Sequence, residues 1–303
     1  MTYCVAMRLN EGLVFLSDSR TNAGVDQIST FRKMTVFERP GDRLLVMMSA
    51  GNLAITQAVR QIVCEAADPA SATVWSARTL FDAVRILGDA VRLVHQRDGE
   101  ALKEAGIEFN CSFLFGGQIR GETMRLFHVY SAGNFIEATP ENPYFQVGES
   151  KYGKPIVDRV ITPETTLGEA AKCALISMDS TLRSNISVGL PLDLLVYEAD
   201  ALRVTKFVRI DESNEYMRMI RSTWGARLRQ VFGEIPDPAW RDAPEGTGAL
   251  RLETQETAPV RAPIPPAFAA DAANAASAAS AGCAPVQLVA QQSSRKDPQC
   301  PST

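Results

Sequence analysis

Apolar and polar positions alternate from Thr2 to Leu9, break at Asn10-Glu11-Gly12, and resume as an apolar run over Leu13–Asp18. Alternation is the two-residue period of a strand, and a turn-forming break between two such runs predicts a β-hairpin. A second hairpin is predicted over Ser29–Arg39 and Arg43–Ser49, joined by Pro40–Asp42. From Gly51 the period changes. The stretch GNLAITQAVRQIVCEAA spaces its apolar residues as a helix does, with Asn52 placed to cap it. A longer helical pattern covers Ser76–Ala105. Strands return at Cys111–Ile119 and Met124–Ser131, with an extended piece near Tyr144–Val147. Helical patterns over Lys154–Val160 and Leu167–Arg183 precede strands at Leu192–Glu198 and Arg203–Ile210 and a helix at Asn214–Val231. Strands and helices that come in blocks predict an α+β fold, sheet packed on sheet with helices outside.

Beyond about Pro236 the pattern stops. Residues 237–303 are rich in Ala, Pro and Ser and nearly lack large apolar side chains. Such a segment cannot bury enough surface to offset its ordering entropy, so a folded domain over residues 1–236 and a disordered tail over 237–303 are expected. The alanine-rich piece Ala267–Ala281 forms at most a transient helix.

Charge and cysteine content narrow the function. A net charge of -4 and the lack of a basic run or stacking motif argue against nucleic acid as a partner. The 6 cysteines lie far apart with no CxxC pair, as expected of reduced thiols, and 2 histidines are too few and too scattered for a metal site. No apolar run reaches the roughly 18 to 20 residues that span a bilayer, and the opening YCVAM is too short for a signal sequence. A cytoplasmic protein without membrane, metal or cofactor is expected.

The usual nucleophile systems fit poorly. His95 falls mid-helix and His128 mid-strand, each read as structural, and no GxSxG elbow exists. The stretch GESKYGKP, Gly148 onward, matches a phosphate loop in spacing. It carries Pro155 where magnesium binding needs Ser or Thr, and no βαβ unit surrounds it.

The N-terminus offers more. Met before a small residue such as Thr is normally trimmed, leaving Thr2 with a free α-amine. That amine has a pKa of about 7.7 to 8.0, so part of it is neutral near pH 7 and can accept the hydroxyl proton of the same residue. By itself Thr2 is simply the first β-branched residue of a strand. The hairpin adds weight: with a turn at Asn10–Gly12, paired residue numbers sum to about 21 or 22. Asp18 then faces Tyr3 or Cys4, diagonal to Thr2. A carboxylate there needs a cation, and Lys33, between Phe31 and Met34 on the next strand, is the candidate. Its positive charge would depress the amine's pKa and favour a developing alkoxide. The plainer alternative for Lys33 is an exposed edge-strand lysine.

The motifs TYCVAM at the N-terminus, SDSRTNAG at Ser17–Gly24, FRKMTVFE at Phe31–Glu38 and SAGNLA at Ser49–Ala54 resemble, in order, those of proteasome β-type subunits. The likeness spans Met1 to roughly Ile235. It implies an N-terminal-nucleophile hydrolase fold, a four-layer αββα sandwich of two antiparallel sheets between helices. It also implies Thr2 as nucleophile and base, Asp18 and Lys33 as the charges around it, and Gly51 as the oxyanion donor. Ser150 would bond the terminal amine, and Thr21 and Asn22 would pair with substrate backbone. The family's later Asp-x-x-Ser-Gly is missing from RSNISVGLP, where Asn185 and Ser187 are the nearest substitutes. The activity implied is that of a threonine-type peptidase acting on peptides or unfolded protein, assembled with its own copies as a ring or spiral. No dedicated ATPase is assigned. A small-molecule amidase and a silent scaffold subunit are the alternatives.

Overall fold

The computed structural model describes residues 2–23, 27–65 and 72–239, with the backbone alone at 22, 23, 27 and 28. The first hairpin is β1 (Tyr3–Leu9) and β2 (Gly12–Asp18), with Cys4 opposite Ser17, one of the two expected registers. The chain then forms a two-stranded ribbon of β3 (Arg20–Ala23) and β4 (Gln27–Thr30). A second hairpin follows, β5 (Met34–Arg39) and β6 (Arg43–Gly51), with Arg39 opposite Arg43. The single strand expected over Ser29–Arg39 is therefore two. β4 pairs with β3 and β5 with β6, and Phe31–Lys33 carry the chain from one partner to the other.

Helix α1 (Leu53–Cys64) starts where expected, the Asn52 side chain accepting from the N–H groups of Ala54 and Ile55. Helix α2 (Leu80–Glu104) starts later than Ser76. Thr79 caps it by accepting from Asp82 N at 3.0 Å, while Ser76 closes a separate turn with Thr73. The Arg43 guanidinium holds that turn against β6, donating to the carbonyls of Val74 (2.8 Å) and Ala77 (2.9 Å). Then come β7 (Cys111–Ile119), β8 (Arg125–Val129), β9 (Phe135–Glu137) and β10 (Tyr144–Gly148). β9 is a three-residue edge strand too short to leave a periodic signal. A 3-10 turn at Ser150–Tyr152 leads into α3 (Lys154–Val160) and α4 (Leu167–Ser184), the latter with a capping box between Thr166 and Glu169. β11 (Leu192–Glu198), β12 (Lys206–Ile210) and α5 (Glu215–Glu234) complete the described elements.

Both large sheets are antiparallel. One has the order β10-β1-β2-β11-β12, the other β5-β6-β7-β8-β9. Three buried clusters account for the packing. Val5, Met7, Val14 and Leu16 meet Ala170, Ala174 and Met178 of α4 and Met217 and Ile220 of α5. Leu45, Met47, Phe113 and Phe115 meet Val59 of α1 and Val84, Leu87 and Val91 of α2. Between the sheets, Cys4, Ala6, Leu13 and Phe15 meet Leu44, Val46, Met48 and Leu114. β1 and β2 thus bury alternate side chains on opposite faces, so β1 is buried almost throughout and does not show the apolar–polar alternation expected of it. Each fully buried side chain of this size contributes about 1.5 to 3 kcal/mol. Among the described residues no helix is long and apolar enough to cross a membrane. Of the tail expected to be disordered, 237–303, residues 240–303 lie outside the described residues.

Candidate active site

Thr2 stands immediately before a strand that is not at an edge. β1 lies between β10 and β2, with Tyr3 opposite Gly148 on one side and Cys4 opposite Ser17 on the other. Thr2 itself is only 7% exposed. Its carbonyl accepts from Glu149 N at 2.7 Å. That approach depends on Gly148, whose φ is +81° and where an added Cβ would lie 1.9 Å from the Thr2 oxygen. Gly148→Ala is therefore expected to cost at least the ~1 to 2 kcal/mol of a left-handed alanine. It should also shift Thr2, so the melting temperature and the rate of covalent labelling at Thr2 should fall together. An unchanged labelling rate would show that the contact does not position the threonine.

Asp18 and Lys33 meet at the N–H of Tyr3, the residue that follows Thr2. Lys33 Nζ donates to Asp18 Oδ1 at 2.6 Å and to the Arg20 carbonyl at 2.7 Å. The pair is almost dry, with Asp18 at 0% and Lys33 at 7% exposure. Tyr3 N donates to the same carboxylate oxygen at 3.0 Å, and Gly189 N to the other at 3.4 Å. Burial raises the Asp18 pKa, and the Lys33 charge and these donors pull against it. Lys33 is not on a strand edge as the plainer reading had it. It sits in the Phe31–Lys33 link, where its carbonyl accepts from Ser49 N at 3.1 Å and ties it to β6.

Two residues beyond Ser49, β6 ends at Gly51 with φ +110°, where a Cβ would lie 2.4 Å from the Asn110 carbonyl. Asn52 N donates to that carbonyl at 2.8 Å and the Asn52 side chain then caps α1. Gly51 thus lies at the junction of β6 with the positive end of a helix, an arrangement that favours negative charge.

The remaining candidates divide. Ser150 follows the Glu149 that bonds Thr2 and is half-buried on the 3-10 turn. Thr21 lies on β3 with its hydroxyl buried and without a hydrogen-bond partner among the described residues; the backbone of Asn22 is on the same strand. Among the described residues β3 pairs only with β4, leaving its other edge open to an added strand. Asn185 Oδ1 accepts from Ser187 N at 2.9 Å, a local turn after α4. What this loop sends to Asp18 is the Gly189 N–H, which sequence reasoning missed. Arg20, also missed, supplies the carbonyl for Lys33 and donates to Ile186 O at 2.9 Å. Its place in the SDSRTNAG motif was the available signal.

Behind Thr2 the Tyr3 hydroxyl lies 2.6 Å from Ser177 Oγ and accepts from Gln146 Nε2. A Cβ at Gly153 would sit 2.1 Å from Ser177 Oγ. Both glycines of GESKYGKP thus serve close packing, and Lys154 is engaged with Tyr144 and Asp158 at 2.8 Å each. Other nucleophile systems are remote in kind: His95 is exposed against Phe109, and His128 bonds Ser112 Oγ at 2.7 Å. The Cys4 thiol, two residues on, is fully buried and held protonated by burial and then by the Asp18 charge. Among the described residues no three His, Cys, Asp or Glu side chains are placed to share a metal ion.

Two antiparallel five-stranded sheets and five helices make a mixed α+β fold consistent with that of a proteasome-related β-subunit. Neither a protein-family model nor a curated protein matches the chain. Solved structures do. Anbu (ancestral beta-subunit) from Yersinia bercovieri is 52% identical, with TM-score 0.74, over 79% of this chain and 100% of that one. Anbu from Hyphomicrobium sp. strain MC1 is 48% identical, with TM-score 0.71, over 79% and 100%. The Anbu complex of Pseudomonas aeruginosa, solved as a helical assembly, is 47% identical, with TM-score 0.75, over 78% and 98%. The chain belongs to the Anbu family.

Proposed function

We propose that this chain is a threonine-type peptidase in which Thr2, freed of Met1, is both nucleophile and base. The observation that carries the reading is the dry Asp18–Lys33 pair at 2.6 Å, tied to the residue after Thr2 through the Tyr3 N–H. A desolvated ammonium beside the N-terminus keeps the α-amine neutral and stabilises negative charge on the hydroxyl oxygen. In the reaction the Thr2 hydroxyl gives its proton to its own amine as its oxygen adds to the substrate carbonyl. The Gly51 N–H, with the α1 terminus behind it, stabilises the oxyanion. The amine then protonates the leaving nitrogen, and water releases the acyl group by the same steps. Ser150 orients the amine, and Thr21 and Asn22 hold an extended substrate on the open edge of β3. Asn185 and Ser187 act through the loop that delivers Gly189.

The three clusters support a four-layer αββα sandwich over residues 1–236, and the helical assembly of the Pseudomonas relative supports self-association into a ring or spiral; the cytoplasm is its proposed location. A pure scaffold has no use for a buried ion pair at this place, since such pairs contribute little net stability. The test is intact mass after treatment with a β-lactone or a peptide vinyl sulfone. One adduct, mapped to Thr2, is expected. A protein that stays unmodified while folded and free of Met1 removes the proposal.

A further inference from the structure

A cavity of about 240 Å³ opens beside Lys33. Lys33 and Ser49 line it, so it adjoins the site through the residue whose ammonium holds Asp18 and through the strand that ends at Gly51. Thr35 and Met47 of the β5–β6 hairpin and Leu53 and Thr56 from the first turn of α1 form its inner wall, with Arg32 and Arg60 at its rim. The lining contains no carboxylate. Lys33 spends its charge on Asp18, but neither Arg32 nor Arg60 makes a hydrogen bond or ion pair with any described residue, and both are exposed. The carboxylate that feels Arg32 is Asp193, on β11 and outside the cavity, and its Oδ1 has no hydrogen-bond partner among the described residues. The first turn of α1, which lends Leu53 and Thr56 to the wall, carries no acidic residue that would repel a carboxylate.

We propose that this cavity receives an acidic side chain, Glu or Asp, on the residue whose carbonyl Thr2 attacks, and that Arg60 and Arg32 set that preference. The assignment rests on Thr2 being the nucleophile, because that choice makes the cavity the neighbour of the scissile bond. Two guanidiniums with free donors reward a carboxylate and repel an ammonium, and a small side chain gains from neither.

Binding separates the two ideas. The full chain carrying Thr2→Ala is titrated calorimetrically with acetylated tetrapeptides that differ only in a final Glu, Leu or Lys amide. The Glu peptide should bind about tenfold more tightly than the Lys peptide, one charge-assisted bond's worth. Arg60→Gln should shrink that ratio and Arg60→Glu should invert it, Arg60 being an exposed helix residue whose replacement leaves the fold intact by circular dichroism. Equal affinities, no binding, or a ratio unmoved by both Arg32→Gln and Arg60→Gln would overturn the assignment. The same three side chains on vinyl sulfones test the reading beneath it. Equal labelling of Thr2 by all three sinks the acidic preference alone. No labelling, with Glu still bound best, sinks the nucleophile and leaves an acidic-peptide site.

Discussion

Lys33→Ala is expected to lower the unfolding free energy by about 3 to 5 kcal/mol, a large loss for a single side chain. The cause is less the bond removed than the carboxylate left behind. Asp18 is fully buried, and without the ammonium at 2.6 Å its remaining partners among the described residues are the N–H groups of Tyr3 and Gly189. The companion experiment removes both charges. Lys33→Met with Asp18→Leu fills similar volume with apolar groups and should recover most of the stability, because a buried pair offsets little more than its own desolvation. Turnover should not return, since the charge that tunes the amine has gone. Urea midpoints for the two single variants and the double variant decide it. Small, additive losses would mean that the residues do not depend on one another.

The second large effect falls on activity. Thr2→Ala should abolish turnover and covalent labelling while leaving the melting temperature nearly unchanged, the strand being held from Tyr3 onward. Thr2→Ser should keep reduced activity, because hydroxyl and amine remain and only the methyl that fixes the rotamer is lost. A serine form with a bulky residue inserted ahead of it retains the initiator and carries an amide nitrogen in place of the amine. An amide is not a base, so that form should be inactive although its hydroxyl is intact. Equal rates for the blocked and unblocked serine forms would make the amine a spectator and end the proposed mechanism.

Much of this site is legible in the sequence because it is built locally. The Asn10–Gly12 turn sets the register that puts Asp18 across from Tyr3, a separation of 15 residues settled by counting. Lys33 was legible as a partner from the cost of a lone carboxylate, but its place in the link between two strands was not. Phe31–Lys33 have the composition of a strand, and only the competing pairings of β4 with β3 and β5 with β6 interrupt them. The Gly189 N–H reaches Asp18 from 171 residues away and is a backbone donor with no side-chain signature. Polar side chains drew the reading to Asn185 and Ser187, which bond within their own turn. The period-2 and period-3.6 signals therefore carried the elements, while long-range backbone contacts stayed silent.

Most chain ends fray, and their amides exchange with solvent almost at once. β1, by contrast, lies inside a five-stranded sheet, hydrogen-bonded to β10 on one flank and β2 on the other. Freeing Tyr3 means separating β1 from both neighbours and exposing two apolar clusters, which amounts to opening the sheet itself. Amide exchange at Tyr3–Met7 therefore follows global unfolding rather than terminal fraying, and the threonine ahead of them is held as firmly as the protein is folded.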